Sequence, residues 1–468
     1  LSFFALAEND GRHRRASREP GTGKEAVLSL PKWLRVVALV FVAWAGMARP
    51  DGHAAQAPRL SDQDIIDAHH YFLGRLLILR QEHLDFKAGF IWNRMLHRDP
   101  GAVVSAVPSL DVVYSEAWVA VDETSCTMVE VPAIRKRYYT VQVLNGWGET
   151  VANINERTFS GHASGKFGLC LKGARAGLPA GTLRVELPGR KSRLVARVEL
   201  GADPQEAVKL QRQIRVYPLG KPKIEPPVEI TLFENQQLPR VEAFNKVDAI
   251  LAAERDINPG MEALQSKARA IAKAARDVEE LKRIDEAIVK QAIPQFQKAA
   301  RALGAVRNGW SRSAPVGNYG SNYRARAVAN YAALWSNNAR EVAEYWTYTD
   351  AKGRELDGSN TYAMTFPKGQ PHGLVRYFWS ILALDSAKFQ VMDNPQKVYA
   401  LSSHAKLYTA KGGALALYFG PRLPDGVPPQ NWLPTAAGQK YNLTFRFYGP
   451  RDSVASGGYF PPPLVHKK

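Results

Sequence analysis

Apolar and polar positions alternate in two stretches of this chain and follow helical spacing in others. From Val112 to Leu200 short alternating runs recur, among them 112–120, 138–144 and 183–187, punctuated by Gly146, Gly161, Gly165, Gly173 and Pro188-Gly189. Alternation returns from Val342 onward in 361–366, 415–419 and 441–448, with Gly412-Gly413 as a tight turn into one of them. Strands of this length and punctuation predict antiparallel sandwiches or barrels rather than βαβ units. Residues 61–85 predict a helix capped by Ser61 and Asp62, with Ile65, Ile66, His69, Phe72, Leu76 and Leu79 at helical intervals. A shorter helix is expected at 204–215. Past a proline-rich hinge at 222–227, Asn258-Pro259 opens the clearest helical block. Its stripe, Met261, Leu264, Ala268, Ile271, Ala275, Val278, Leu281, Ile284 and Ile288, is expected to face a core until Pro294 kinks or ends it.

The expected fold class is α+β, mainly β: two antiparallel β-sandwich or jelly-roll-like domains joined by a helical linker. The boundaries read as an upstream extension plus signal peptide at 1–57, a first β-rich domain at 61–220, hinge and linker at 221–310, and a second β-rich domain at 311–465. Length (468 residues) and 45% hydrophobic content exclude collagen-like, disordered and multi-spanning chains. The run at 36–48 follows Lys32 and Arg35 and precedes small residues, which are the parts of a secretory signal peptide. Thirteen residues reach about 20 Å, short of a bilayer core of about 30 Å. Cleavage is expected after Ala54 or Ala48; an uncleaved anchor helix, giving the only membrane contact, is the alternative. Residues 1–26 fit neither leader nor domain, so translation is expected to start near Val27. The expected location after export is an oxidising space, the periplasm of a Gram-negative bacterium. There the two cysteines, Cys126 and Cys170, are able to pair, although two unpaired buried thiols is the preferred reading.

The net charge of +18 suits an anionic envelope polymer or lipid better than nucleic acid, because no finger, basic zipper or Arg-Gly repeat is present. Lysines and arginines look scattered, the densest early cluster being Arg12, Arg14, Arg15 and Arg18. No nucleophile elbow, phosphate loop, zinc helix motif or dinucleotide fingerprint occurs. Residues 161–166 are glycine-containing, but Phe167 follows Lys166 and a β context is expected. His69 and His70 diverge by about 100° on a helix and cannot easily share one metal; a site with His97 is conceivable, but core or surface histidines are the expectation. No cofactor is expected. Asp111, Asp122, Glu130, Asp350 and Asp357 lie near strand ends, where turn capping is the usual task. Trp379 and Trp432 suit either a buried core or stacking on a ligand. Arg446, between Phe445 and Phe447, is expected to point away from both and to clamp an anion or pair with a carboxylate.

The same residues carry a family likeness. Asp111 to Ser115, Arg137-Tyr138-Tyr139, Val141-Gln142, Gly161, Arg197, Asp203, Gln211 and Tyr217-Pro218-Leu219 resemble the motifs of the family called domain of unknown function 1254. Tyr323, Arg326-Ala327, Asp350, Gly353, Tyr362, Phe378-Trp379-Ser380, Asn431-Trp432-Leu433-Pro434, Arg446 and Tyr448 resemble domain of unknown function 1214. Asn258-Pro259-Gly260 is similar to the segment joining the two. This copy departs from the pattern at Ser109 and Val112 and at Val398-Tyr399. The resemblance implies a β-rich, two-domain bacterial envelope protein and brings no catalytic residue with it. The residues themselves leave two functions as expectations, the first favoured because no nucleophile or metal motif is visible and the aromatic content is high. The first is binding of a glycan, lipid or other envelope ligand, with Asp111, Tyr114, Arg137, Trp379, Asn431, Trp432 and Arg446 as candidate contacts. The second is a periplasmic hydrolase whose carboxylate, His and Tyr groups converge on folding. An inter-domain pocket with convergent, shifted groups would speak for the enzyme, and an open uncharged aromatic groove for binding. Homo-oligomerisation stays open.

Overall fold

The computed structural model describes residues 59–101, 109–301, 304–312, 316–386 and 390–467. The apolar run at 36–48 and the expected cleavage sites lie outside them. The helix expected at 61–85 is α1 (Asp62–Lys87). It begins at Ser61 because the Ser61 side chain accepts the Asp64 N–H while the Asp64 carboxylate takes the Ser61 N–H, closing a capping box. Most of its circumference is covered, so His69, His70, Arg75, Glu82 and Asp85 are buried along with its apolar residues.

The first β region comprises β1 (Leu96–His97), β2 (Val112–Ala120), β3 (Cys126–Val131), β4 (Tyr139–Leu144), β5 (Thr150–Ile154), β6 (Gly165–Leu171), β7 (Thr182–Leu187) and β8 (Lys191–Glu199), followed by α2 (Pro204–Gln213) and β9 (Arg215–Leu219). One sheet runs β1-β2-β8-β4-β5 and the other β7-β6-β3-β9. Alternation sends Val113, Ala117, Val141, Val143 and Leu194 of the first sheet against Val129, Phe167, Leu169 and Leu187 of the second. Pro218 is tolerated because β9 is an edge strand. Cys126 and Cys170 stand opposite each other in the β3–β6 register, with Cα atoms 4.5 Å apart, and are joined by a disulfide. The preferred reading of two free thiols is thereby corrected, since strand register sets the sulfurs face to face.

The helical segment between the β regions contains α3 (Val247–Ala253), α4 (Met261–Ala274), α5 (Val278–Ala287) and α6 (Ile293–Arg301). It is not one continuous stripe. Asp277 caps a new helix by accepting the N–H groups of Glu279 and Glu280, which resets the helical phase. Val278 and Leu281 therefore face water, while Ile284 and Ile288 are buried. A π turn at Ile288–Ala292 runs without a break into α6, so Pro294 does not end the helix and instead follows directly on this local widening. These helices pack on α1, with Met261, Leu264, Ile271 and Ile284 against Ile65, Phe72 and Leu76.

The second β region comprises β10 (Ala305–Arg307), β11 (Trp310–Arg312), then α7 (Tyr323–Ala332), β12 (Val342–Thr347), β13 (Thr361–Phe366), β14 (Trp379–Asp385), β15 (Ala400–Ser402), β16 (Leu415–Gly420), β17 (Trp432–Pro434), β18 (Tyr441–Tyr448) and β19 (Val465–Lys467). Its sheets run β10-β11-β12-β18-β14-β15 and β17-β16-β13-β19, with Phe445, Phe447, Trp379, Met364, Phe366 and Leu417 in the core between them. The chain is thus α+β and mainly β. Each four-stranded sheet contains one parallel pair, β6 with β7 and β16 with β17, so the sandwiches are mixed rather than wholly antiparallel.

Candidate functional site

The outer face of each larger sheet carries the residues that alternate with its core. In the first sandwich these include Tyr138, Thr140, Gln142, Arg197 and Glu199, and in the second Thr444, Arg446 and Tyr448. Most are buried, because the two faces meet. Phe378 stacks on Tyr448 at 4.1 Å between ring centroids, and Tyr138 meets Tyr448 edge-on at 5.2 Å. Arg157 bridges the regions. Its Nη2 donates to Glu341 Oε2 at 2.5 Å, and its guanidinium lies over the rings of Tyr138 and Tyr377.

At one end of this seam lies a cleft of about 550 Å³. The β3–β4 connection supplies Arg135, Lys136 and Arg137, and the far side supplies Arg376 and Tyr377. Ala163 and Ser164, from the glycine-containing segment noted in the sequence, form another part of the wall. Arg137 is pinned by main-chain oxygens, donating from Nη1 to the carbonyls of Glu199 and Leu200 at 2.5 Å each. Glu199 lines the inner end. Its Oε2 accepts the Tyr138 N–H at 2.6 Å, and its Oε1 lies 3.2 Å from His404 Nε2 in the other sandwich. The hydrogen bond to Glu199 raises the His404 imidazole above its ordinary range, against partial burial. Behind this pair sits Asp111. Burial pushes its carboxyl up, opposed by Ser380, Arg446 and His404.

The regions that meet here match separate families. Residues 92–218 match the family described as "Protein of unknown function (DUF1254)", and residues 341–452 match "Protein of unknown function (DUF1214)". The chain is a two-domain DUF1254–DUF1214 protein. Its DUF1254 region contributes the 135–137 run and Glu199 to the cleft, and its DUF1214 region contributes Arg376, Tyr377 and the neighbouring His404. The crystal structure of the VPA0106 protein from Vibrio parahaemolyticus has a similar fold, with a TM-score of 0.64 at 18% identity over 87% of this chain and 100% of that one. An uncharacterised protein from Burkholderia cenocepacia aligns over 87% of this chain and 95% of that one at a TM-score of 0.44 and 13% identity. No curated protein matches the chain.

Of the residues singled out in the sequence, Asp111, Tyr114, Arg137 and Arg446 come together along the seam. Arg446 points away from Phe445 and Phe447 and binds Glu344 at 2.7 Å. Three others serve the architecture of the DUF1214 region. Trp379 is fully enclosed in the core. The Asn431 side chain pins a loop by bonding the Tyr408 N–H and the carbonyls of Tyr408 and Ala416, each at 2.8 Å. Trp432 is buried and donates to the Gly420 carbonyl. Burial removes all three as exposed ligand contacts. Asp122, Asp350 and Asp357 accept N–H groups in their own turns, and Glu130 accepts the Tyr217 hydroxyl. His69 and His70 each bond a main-chain carbonyl. Among the described residues no group of His, Cys, Asp and Glu is arranged to hold a metal ion, and no helix is long and apolar enough to cross a membrane. Glu199, His404 and Arg376 were not visible as site residues in the sequence. The consecutive Arg135-Lys136-Arg137 run was the available signal.

Proposed function

We propose that this DUF1254–DUF1214 protein is an exported envelope protein that binds an envelope ligand, a glycan or a lipid, in the cleft between its two sandwiches. The observation that carries this reading is a solvent-reaching cleft to which both regions contribute exposed polar groups. Export is supported by the apolar run at 36–48 and by the Cys126–Cys170 bond, which suits an oxidising compartment. The test is thermal unfolding of the full chain with lipopolysaccharide, peptidoglycan fragments and phospholipid vesicles in separate arms. A saturable rise in melting temperature with one of them is expected. Silence with all three would end the binding reading.

A second reading rests on the Glu199–His404 pair at the inner end of the cleft. A carboxylate 3.2 Å from an imidazole, with a buried Asp111 behind it, is the convergence an acid/base hydrolase needs. The cleft is charged and its inner end holds shifted groups, the feature set out above for an enzyme, but binding is preferred because both Glu199 oxygens already have partners and Asp111 lies buried behind them. Release of chromophore from p-nitrophenyl esters, phosphates or glycosides by the native chain, abolished in Glu199→Gln, would replace binding with hydrolysis.

A further inference from the structure

We infer that the inter-domain cleft recognises a phosphate-bearing ligand, an inference that rests on the binding reading above. Four cationic side chains converge there: Arg135, Lys136 and Arg137 on one connection, and Arg376 across from them. Arg135, Lys136 and Arg376 are exposed, and among the described residues none of them makes an ion pair. Arg137 is held by carbonyl oxygens, so no carboxylate neutralises it either.

The two carboxylates of the cleft are already engaged. Glu156 is bound by Arg157 at 2.9 Å, and Glu199 by His404 and the Tyr138 N–H. What the cleft offers a ligand is therefore excess positive charge, and its concave walls concentrate that field. Lys136 sits in left-handed backbone at φ 57°, a conformation better suited to glycine or asparagine, so the turn holds a charged side chain where a small residue would be more comfortable. Guanidinium forks match the paired oxygens of phosphate. A single carboxylate would leave most of the four cations unanswered, whereas a phosphoryl or diphosphoryl group answers two or more.

The shared chemistry has two sources, a soluble phosphate ester or a phospholipid headgroup, and the experiment separates them. The full chain is titrated calorimetrically with sodium pyrophosphate at low ionic strength, and floated with phosphatidylglycerol or phosphatidylcholine vesicles; maltotetraose is the neutral arm. Saturable binding of pyrophosphate, or flotation with the anionic vesicles alone, is expected. The Arg135→Ser/Lys136→Ser/Arg376→Ser variant alters only exposed side chains, so an unchanged melting temperature confirms its fold, and it should bind about ten-fold or more weakly. Arg376→Lys, which keeps the charge, should retain most of the binding. No response to pyrophosphate and no preference for anionic vesicles would overturn the inference, as would a folded triple variant that binds like the native chain. Binding of maltotetraose or of phosphatidylcholine vesicles in place of these would overturn the phosphate inference while leaving the binding reading standing.

Discussion

Arg326 shows how much a single side chain holds in this fold. It is 1% exposed on α7, donates to Asp256 at 2.6 and 3.1 Å and to Glu149 at 3.3 Å, and lies over the Trp147 ring. Removing it strands two buried carboxylates, so Arg326→Ala should cost about 3–5 kcal/mol in denaturant unfolding. Glu254 gives a pH signature. Burial raises its carboxyl to about 7, against the pull of Arg75. A Cβ at Gly146 or Gly189 would overlap its carboxyl group, which explains glycine at both positions. Because the folded chain keeps a proton that the unfolded chain has already lost, this group costs stability progressively as pH rises from the ordinary value of 4.5 to about 7. Glu254→Gln is expected to flatten that decline, as read by melting temperature against pH. Arg326 stood in the sequence only as part of a family-like motif, with no partner visible, and no pattern marked Glu254. Their importance comes from partners between 70 and 180 positions away in the chain, such as Arg326 with Asp256 and Arg75 with Glu254.

Among the elements, strands were the more legible and helical phase the less. Alternation at 112–120 and 441–448 identified β2 and β18 because each has one face in a sandwich core. It gave no view of the other face, since Thr140, Gln142 and Thr444 look like solvent positions and are buried, Gln142 in part by the Ser336 carbonyl that it donates to. The helical stripe failed at Asp277, where a capping side chain begins a new helix and rotates the count. Ile284→Ala should therefore cost about 2–5 kcal/mol, whereas Val278→Lys should stay within about 0.5 kcal/mol in the same denaturation assay. The Cys126–Cys170 bond closes a 44-residue separation. Its reduction, or the Cys126→Ala/Cys170→Ala pair, should lower stability by about 3–4 kcal/mol on the chain-entropy account.

For the whole molecule, sequence anticipated two β regions with helices between them but not that both would share one buried seam. The candidate cleft exists only at that seam, so its far side, Arg376 with Tyr377, lay more than 200 positions from the Arg135-Lys136-Arg137 run. His404 and Glu199 tie the regions together across it. The imidazole is raised in the folded chain, chiefly by its bond to Glu199, so the stability it contributes is fully present below its ordinary value of 6.5 and fades as pH rises through the folded value. His404→Gln should remove that part of the pH dependence while leaving the acidic side of the melting profile below the native one.

The position of α1 has a consequence for how this polypeptide is built. The Asn330 side chain on α7 donates to the Gly74 carbonyl of α1 across 256 positions, and Ala327 rests directly on Gly74. The earliest described helix thus waits for residues made 256 positions later before its surface is closed. Such long-range closure slows folding and prolongs the interval in which apolar surface is open to unwanted contacts. A growing chain arrested before α7 would leave the Gly74 face of α1 uncovered, with Leu73 and Leu77 lacking Ala327 beside Leu238 and Phe296, a natural target for a chaperone that shields nascent polypeptides.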